Sequence, residues 1–437
     1  MSRKRKDKIY DNDWRYSAFR YLSDLVIMHS FSKYELEGVE NIPSDGSIIF
    51  APNHCDALMD PFAILTISHE KKVFVARADV FKKPFFKKLL TFFKIMPINR
   101  KRDGLRSVLK TEDTIKKSIE VLNNGVQFCI LPKGAHRSKH SLLPIGKGIA
   151  RIAVGAIKEA EEGRPLYIVP VGLEYGDYYR FRSSLLAHIG KPIDVTQYIV
   201  ENKDRTENEI MQDIRALVGE GMKEQIVYIP DDEDYDGTWE MSKIYSGKIP
   251  EGRLKARFAA NRKAVAKIQK LKEEQPEEAA KLLEEAAQFA RDRREAHISI
   301  NSTHKKHRLL AVLWSTLKMI VCLPFFAAYA VASMPCWVIA ELLTSNTKDK
   351  TFCNSLRCTV LIVLWAFLLI LWAVVLFCTI PWKWALVATL VLIPAPLAVY
   401  DYFELVRIGA SDWRYLFNDE LKRKYDKLAE EINKYVI

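Results

Sequence analysis

Four apolar runs rich in β-branched residues, SIIFAP, KVFVARA, QFCILP and LYIVPVGLEY, recur through the first half of the chain. Each has the length and character of a strand buried on both faces. Between and after them, Ser107 to Leu122, Lys147 to Glu162 and Asn208 to Met222 repeat apolar positions at helical spacing. Strands alternating with helices predict an α/β domain, a mostly buried sheet flanked by helices, over residues 33–230. A basic, amphipathic helix is expected ahead of it, in residues 1–32.

After residue 230 the pattern changes twice. An acidic stretch, PDDEDYDG, leads into two charged helical patterns that meet at Pro276, so 231–305 reads as an acidic linker and helical connector. Then come uncharged segments, Met319 to Ala340 and Cys358 to Ile380, each as long as the roughly 20 residues a helix needs to cross a bilayer. Ala385 to Tyr400 is a shorter third, with Trp382, Trp384 and Tyr400 at interfacial depth. The first apolar block extends from Leu309 to Leu343 and is interrupted by Lys318, Pro324 and Pro335, which suits one tilted helix or a re-entrant pair. Three or four spans are expected in 306–403, followed by an amphipathic helical tail in 404–437. The cluster HKKHR just before the first span places its entry on the cytoplasmic side.

Composition narrows the classes. With 437 residues, 49% hydrophobic and 27% charged, the chain has the makings of a folded core rather than of a disordered protein. A formal net charge of +12 favours an anionic partner: nucleic acid, a membrane surface or a phosphorylated substrate. The seven cysteines contain no C-x-x-C pair, and five (Cys322, Cys336, Cys353, Cys358, Cys378) sit in or beside the apolar third. They read as buried small hydrophobes, not as a disulfide or metal framework. The basic opening MSRKRKDKIYDNDW leads into no apolar h-region, so no signal peptide is expected. No dinucleotide fingerprint or metal motif is present.

Candidate chemistry begins in APNHCDALMDPFAIL. Asn53 and His54 follow the first strand, where α/β proteins commonly place reactive groups, and Asp60 lies six positions on. Asp60 before Pro61 is equally a helix start, with aspartate as N-cap and proline at the first helical position. Further along, KIMPINR ends in Arg100, ILPKGAHRSKH supplies a Pro-Lys-Gly turn at another strand end, and IVPVGLEYGD ends a third.

Together these stretches resemble, in order, the four sequence blocks of the glycerolipid (phospholipid/glycerol) acyltransferase superfamily, over about Lys33 to Pro192. The blocks of that family read approximately N-H-x-x-x-x-D, G-x-x-F/P-I/V-x-R, F-P-E-G-T/x-R and V/I-P-V. Here five residues separate His54 from Asp60, and Met59 takes the usual aspartate slot. That longer block looks like the fungal-type glycerol-3-phosphate and dihydroxyacetone-phosphate acyltransferases. Lys94 stands where a glycine is common, Lys133 where the family has glutamate, and Ala135 where it often has threonine.

The resemblance implies transfer of a fatty acyl group from acyl-CoA or acyl carrier protein to 1-acylglycerol 3-phosphate or glycerol 3-phosphate, without a cofactor. Histidine has a pKa suited to taking the acceptor's hydroxyl proton, so His54 is the expected base. Asp60 is the favoured charged partner and Asp56 the alternative. Cys55 is a passenger, since the acceptor hydroxyl itself attacks. Asn53, Arg100, Lys133, Gly134, His136 and Arg137 are the expected substrate-binding residues, and Lys101, Arg102 and Lys139 add to the positive charge; arginine suits bidentate phosphate binding. The aromatic and lysine-rich stretch from Val80 to Lys94 is expected to touch lipid headgroups. Nucleic acid also uses such residues, but the membrane spans favour lipid. Other readings are acylation of another lyso-lipid or an aminolipid, and a catalytically silent lipid-binding scaffold, which Lys133 would suit.

Overall fold

The computed structural model describes residues 8–11, 13–98, 105–132, 137–160 and 164–436. Contacts divide the chain into two units, one formed from Met1–His29, Tyr34–Tyr178 and Leu185–Ile226, the other from Ser30–Lys33, Tyr179–Ser184 and Val227–Ile437.

In the first unit the elements run α1 (Trp14–His29), β1 (Lys33–Glu37), β2 (Ser47–Pro52), α2 (Met59–Thr66), β3 (Lys72–Arg77), α3 (Pro84–Phe92), β4 (Ile95–Ile98), α4 (Leu105–Asn123), β5 (Gln127–Cys129), α5 (Lys147–Lys158), β6 (Leu166–Tyr175), β7 (Ser184–Ile189), β8 (Ile193–Asp194), α6 (Val195–Glu201) and α7 (Glu207–Glu224). Among the described residues the strands form one sheet in the order β1-β7-β6-β2-β5-β3-β4, with β8 also on β6. The pairs β2/β6, β2/β5, β3/β5 and β3/β4 are parallel, while β7 and β8 run antiparallel to β6. This is the expected α/β architecture.

All six residues of β2 are buried, which explains its continuous apolar run. Ile49 and Ala51 join Leu166 and Ile168 and the apolar faces of α4, α5 and α7 in one core. Side chains alternate across a strand, so Ile48, Phe50, Val171, Leu173 and Tyr175 project from the opposite face. Gly172 is required where it stands: a Cβ there would lie 1.8 Å from the Gln225 carbonyl oxygen just past α7.

Two expectations change in this unit. Helix α2 begins at Met59 with Leu58 as its N-cap, so Asp60 sits in the first turn and does not cap it. Of the five phenylalanines between Val80 and Lys94, Phe81 is buried, while Phe92 packs edge-on against Tyr16 and Phe19 and Phe93 against Phe19. These three rings belong to the packing of the domain. Val80, Leu89 and Lys82, Lys83, Lys87 and Lys88 are exposed, and the side chains of Phe85 and Phe86 lie outside the described residues.

The second unit is helical: α8 (Tyr235–Ser246), α9 (Leu254–Glu274), α10 (Pro276–Glu295), α11 (Ile300–Thr303), α12 (Arg308–Ala332), α13 (Met334–Ser345), α14 (Cys353–Val360), a π-helical turn (Leu361–Trp365), α15 (Ala366–Thr379), α16 (Trp382–Leu392), α17 (Ala395–Leu416) and α18 (Asp419–Val436). Helices α8, α9, α10 and α18 share a core that includes Met241, Ile268, Leu283, Phe289, Leu428 and Ile432. Within it Glu240 is fully buried, paired with Arg293 through bonds of 2.8 and 3.0 Å and with Lys243 at 2.6 Å.

Two stretches are long and apolar enough to cross a membrane, Arg308–Ala332 and Lys350–Thr379; Trp382–Leu392 with Ala395–Leu416, bent by 46°, makes a third if the pair counts as one. Among the described residues that makes two or three by length and composition, against the three or four expected. The first runs Arg308–Ala332 instead of Met319 to Ala340, because the helix ends at Ser333; Pro324 is accommodated inside it, and Pro335 falls in the opening turn of α13. Helix ends leave carbonyls without helical partners, and hydrocarbon offers no water to satisfy them. Tryptophans fill that role here: Trp372 Nε1 donates to the Ala332 carbonyl at 3.0 Å, and Trp365 Nε1 to that of Ile393 at 2.9 Å.

Candidate active site

The parallel strands β2 and β6 run in register from Ser47 opposite Leu166 to Pro52 opposite Val171. Beyond Pro52 the pairing continues through a side chain. Asn53 accepts the Leu173 amide on Oδ1 at 2.6 Å and donates from Nδ2 to the Leu173 carbonyl at 3.1 Å. Its Nδ2 also lies 3.1 Å from Cys55 Sγ, and both residues are buried. The chain leaving β2 is thus clamped just before His54.

His54 Nδ1 lies 2.7 Å from Asp60 Oδ2. An ionised carboxylate only accepts hydrogen bonds, so Nδ1 carries the proton and Nε2 is the basic nitrogen. Two backbone amides converge on the same Oδ2, Cys55 N at 2.7 Å and Asp56 N at 2.9 Å, while Tyr175 Oη donates to Oδ1 at 2.7 Å. The Asp60 side chain is wholly buried, whereas that of His54 keeps 15% of its surface exposed. Four donors hold the buried carboxylate in one orientation, and the imidazole beside it keeps an open edge. With five residues between His54 and Asp60, the loop still brings the imidazole and the amides of Cys55 and Asp56 onto the one oxygen, Oδ2.

The third block approaches from the other side. The Arg137 amide donates to the His54 carbonyl at 2.9 Å, and Ser138 Oγ to that of Cys55 at 3.2 Å. His140, buried, pairs with Glu174 Oε2 at 3.2 Å, and its ring packs against that of Tyr178. Asn53, His54, Asp60 and the Arg137 backbone are therefore brought together. Arg100, Lys133, Gly134 and His136 lie outside the described residues, as do Lys101 and Arg102. Tyr175 and the His140–Glu174 pair escaped the sequence reading. Tyr175 carried a signal, standing two positions after Leu173 on the same face of β6 at the strand end that meets His54. No group of three or more His, Cys, Asp or Glu suited to a metal ion occurs among the described residues.

The Acyltransferase family model matches residues 33–174, from β1 to the end of β6. The matched region contains both His54 and Asp60 and ends one residue before Tyr175. The chain is 26% identical over 149 residues to a chloroplastic 1-acyl-sn-glycerol-3-phosphate acyltransferase of Brassica napus, covering 34% of this chain and 39% of that protein. It is 24% identical over 127 residues to glycerol-3-phosphate O-acyltransferase 1 of Saccharomyces cerevisiae, covering 28% of this chain and 17% of that one. The likeness thus spans less than half the length of these curated relatives. A solved 1-acyl-sn-glycerophosphate acyltransferase from Thermotoga maritima superposes with a TM-score of 0.35 at 22% identity, covering 48% of this chain and 78% of that chain.

Proposed function

We propose that this chain, whose residues 33–174 match the Acyltransferase family model, moves a fatty acyl group from acyl-CoA or acyl carrier protein to the hydroxyl of 1-acylglycerol 3-phosphate or glycerol 3-phosphate. His54 is the general base and Asp60 its charged partner. The observation that carries the reading is the 2.7 Å contact between His54 Nδ1 and a fully buried Asp60 carboxylate. Nε2 takes the proton of the acceptor hydroxyl as its oxygen bonds to the thioester carbonyl carbon. The carbon–sulfur bond then breaks, the imidazolium returns the proton to the departing thiolate, and ester and free thiol result. Asp60 stabilises the imidazolium between those two transfers.

The acceptor's phosphate is assigned to Arg100, Lys133, His136 and Arg137, with Gly134 allowing close backbone approach and Asn53 holding the loop. Helices long and apolar enough to span a membrane support a site that works beside lipid substrates, and the basic cluster His304 to Arg308 supports a catalytic domain on the cytoplasmic face. Lys133, in place of the family glutamate, supports a second reading, a lipid-binding protein that has lost catalysis.

One experiment separates them. The purified full chain is assayed against a panel of lyso-lipid and glycerol phosphate acceptors with both donors, identifying the lipid products. Transfer lost by about 100- to 10,000-fold in His54→Ala, with the protein still folded and membrane-bound, supports the enzyme. Activity of that variant within about threefold of wild type rejects His54 as base, since a positioned base contributes far more than that. Lysophosphatidate binding without any thiol release supports the silent protein.

A further inference from the structure

Asp60 binds donors unevenly. Its Oδ2 accepts His54 Nδ1, Cys55 N and Asp56 N, all from the short loop that precedes it, whereas Oδ1 is held by Tyr175, 115 residues away at the end of β6. A carboxylate bound only through Oδ2 is free to rotate about its own axis and to swing with α2. The contact to Oδ1 ties that rotation to the sheet. Tyr175 is itself fixed: it closes the β6/β7 pairing opposite Leu185, only 6% of its surface is exposed, and its ring packs 5.9 Å from that of Tyr178.

We propose that Tyr175 is a positioning residue of this site: its hydroxyl orients the Asp60 carboxylate so that Oδ2 faces His54, and by sharing the carboxylate's charge it sets how strongly Asp60 holds a proton on the imidazole. The proposal rests on the His54–Asp60 reading of the site. Tyr175 is too deeply buried to touch a substrate, so it acts through Asp60. Burial, with the charge of Asp60 adding to it, pushes the Tyr175 phenol well above its ordinary range, so it remains a donor near neutral pH.

The test is Tyr175→Phe in the full-length, membrane-reconstituted protein, which keeps the ring and its packing and removes one oxygen. Expected is a fall in kcat of roughly 10- to 100-fold, the worth of one hydrogen bond to a charged group, with the acceptor KM within about twofold. Without the shared bond the carboxylate's charge falls more fully on His54, so the acidic limb of the kcat/KM profile moves to higher pH. A second measurement needs no turnover: peptide-resolved labelling of His54 by diethylpyrocarbonate against pH should show the same upward shift in Tyr175→Phe. Unchanged labelling and pH profiles overturn the proposal. Repeating the change in an Asp60→Asn background guards against a merely structural effect, because there the hydroxyl has no charge to orient and its removal should add almost nothing. An equal loss in that background overturns the proposal as well. If wild type transfers no acyl group to any acceptor, the acyltransferase reading fails, and the labelling experiment still decides the role of Tyr175.

Discussion

Asn53 continues the β2/β6 ladder one step past its end, exchanging with Leu173 through its side chain the pair of bonds that a backbone would make. The strand can therefore stop and turn toward His54 without leaving the buried amide and carbonyl of Leu173 unpaired. Each buried group so orphaned costs about 1–3 kcal/mol. Asn53→Ala is expected to lower the melting temperature and turnover together. Asn53→Asp keeps the acceptor but sets a carboxylate oxygen against the Leu173 carbonyl, and should be no better. A melting temperature unchanged in both variants would show that the clamp carries no load.

The two aspartates of this loop divide their contributions. Asp60 places a carboxylate oxygen on His54, while Asp56 offers its backbone amide to that same oxygen. Asp60→Asn must surrender at least one donor, since an amide nitrogen cannot accept, and it loses the charge that favours the imidazolium. Turnover should fall about 100-fold or more, within the range seen for disabling general-base catalysis. Asp56→Asn leaves the backbone amide in place and should cost far less. The reverse ranking, measured as kcat at saturating acceptor, would move the partnership to Asp56.

Lys72 opens β3 fully buried, its ammonium on the Ser68 carbonyl at 2.8 Å and the Ser68 hydroxyl at 2.7 Å. Burial, with Arg20 nearby, pushes it from an ordinary 10.5 down to about 7. Between those values the unfolded chain holds a proton that the folded chain has released, so stability rises with pH across that window, and the gain is absent below it. Lys72→Met should remove that rise. The melting temperature of the variant minus that of wild type is expected to be most favourable to the variant below pH about 7 and to decline as pH approaches about 10. A difference independent of pH would mean that Lys72 does not titrate there.

Glu240 shows the opposite sign. Burial alone would raise its carboxyl, but Lys243 and Arg293 outweigh burial and hold it at about 2. Its contribution is present above the ordinary 4.5 and is lost as pH falls toward 2. Arg293→Leu leaves a buried carboxylate short of its main partner and should cost about 3–5 kcal/mol in chemical denaturation of the solubilised protein. Removing both charges, as Glu240→Leu with Arg293→Leu, should recover most of that loss. A double variant as unstable as the single one would show that packing, not charge, makes Arg293 important.

The parts of this protein that depend on a short repeat could be read from the chain alone. SIIFAP and LYIVPVGLEY are recognisable as strands because burial on both faces demands an unbroken apolar run, and membrane helices declare themselves because hydrocarbon excludes charge over a fixed length. The four blocks stood in the right order, and His54 and Asp60 could be paired on chemistry. What could not be read depends on register between distant segments. Whether Asp60 would cap α2 or turn back to His54 was open while both fitted the local pattern; the hydroxyl of Tyr175 reaches it because β2 and β6 align Pro52 with Val171. The rings of Phe92 and Phe93 looked free for lipid until α1 was packed on them. The pattern of α18 announced an amphipathic helical tail, and packing with α8, α9 and α10 made its apolar residues part of a core. In each case the local pattern specifies how apolar and polar a segment must be, while the identity of its partner is set by contacts between segments far apart in the chain, where many pairings satisfy the same pattern and only the assembled fold chooses one.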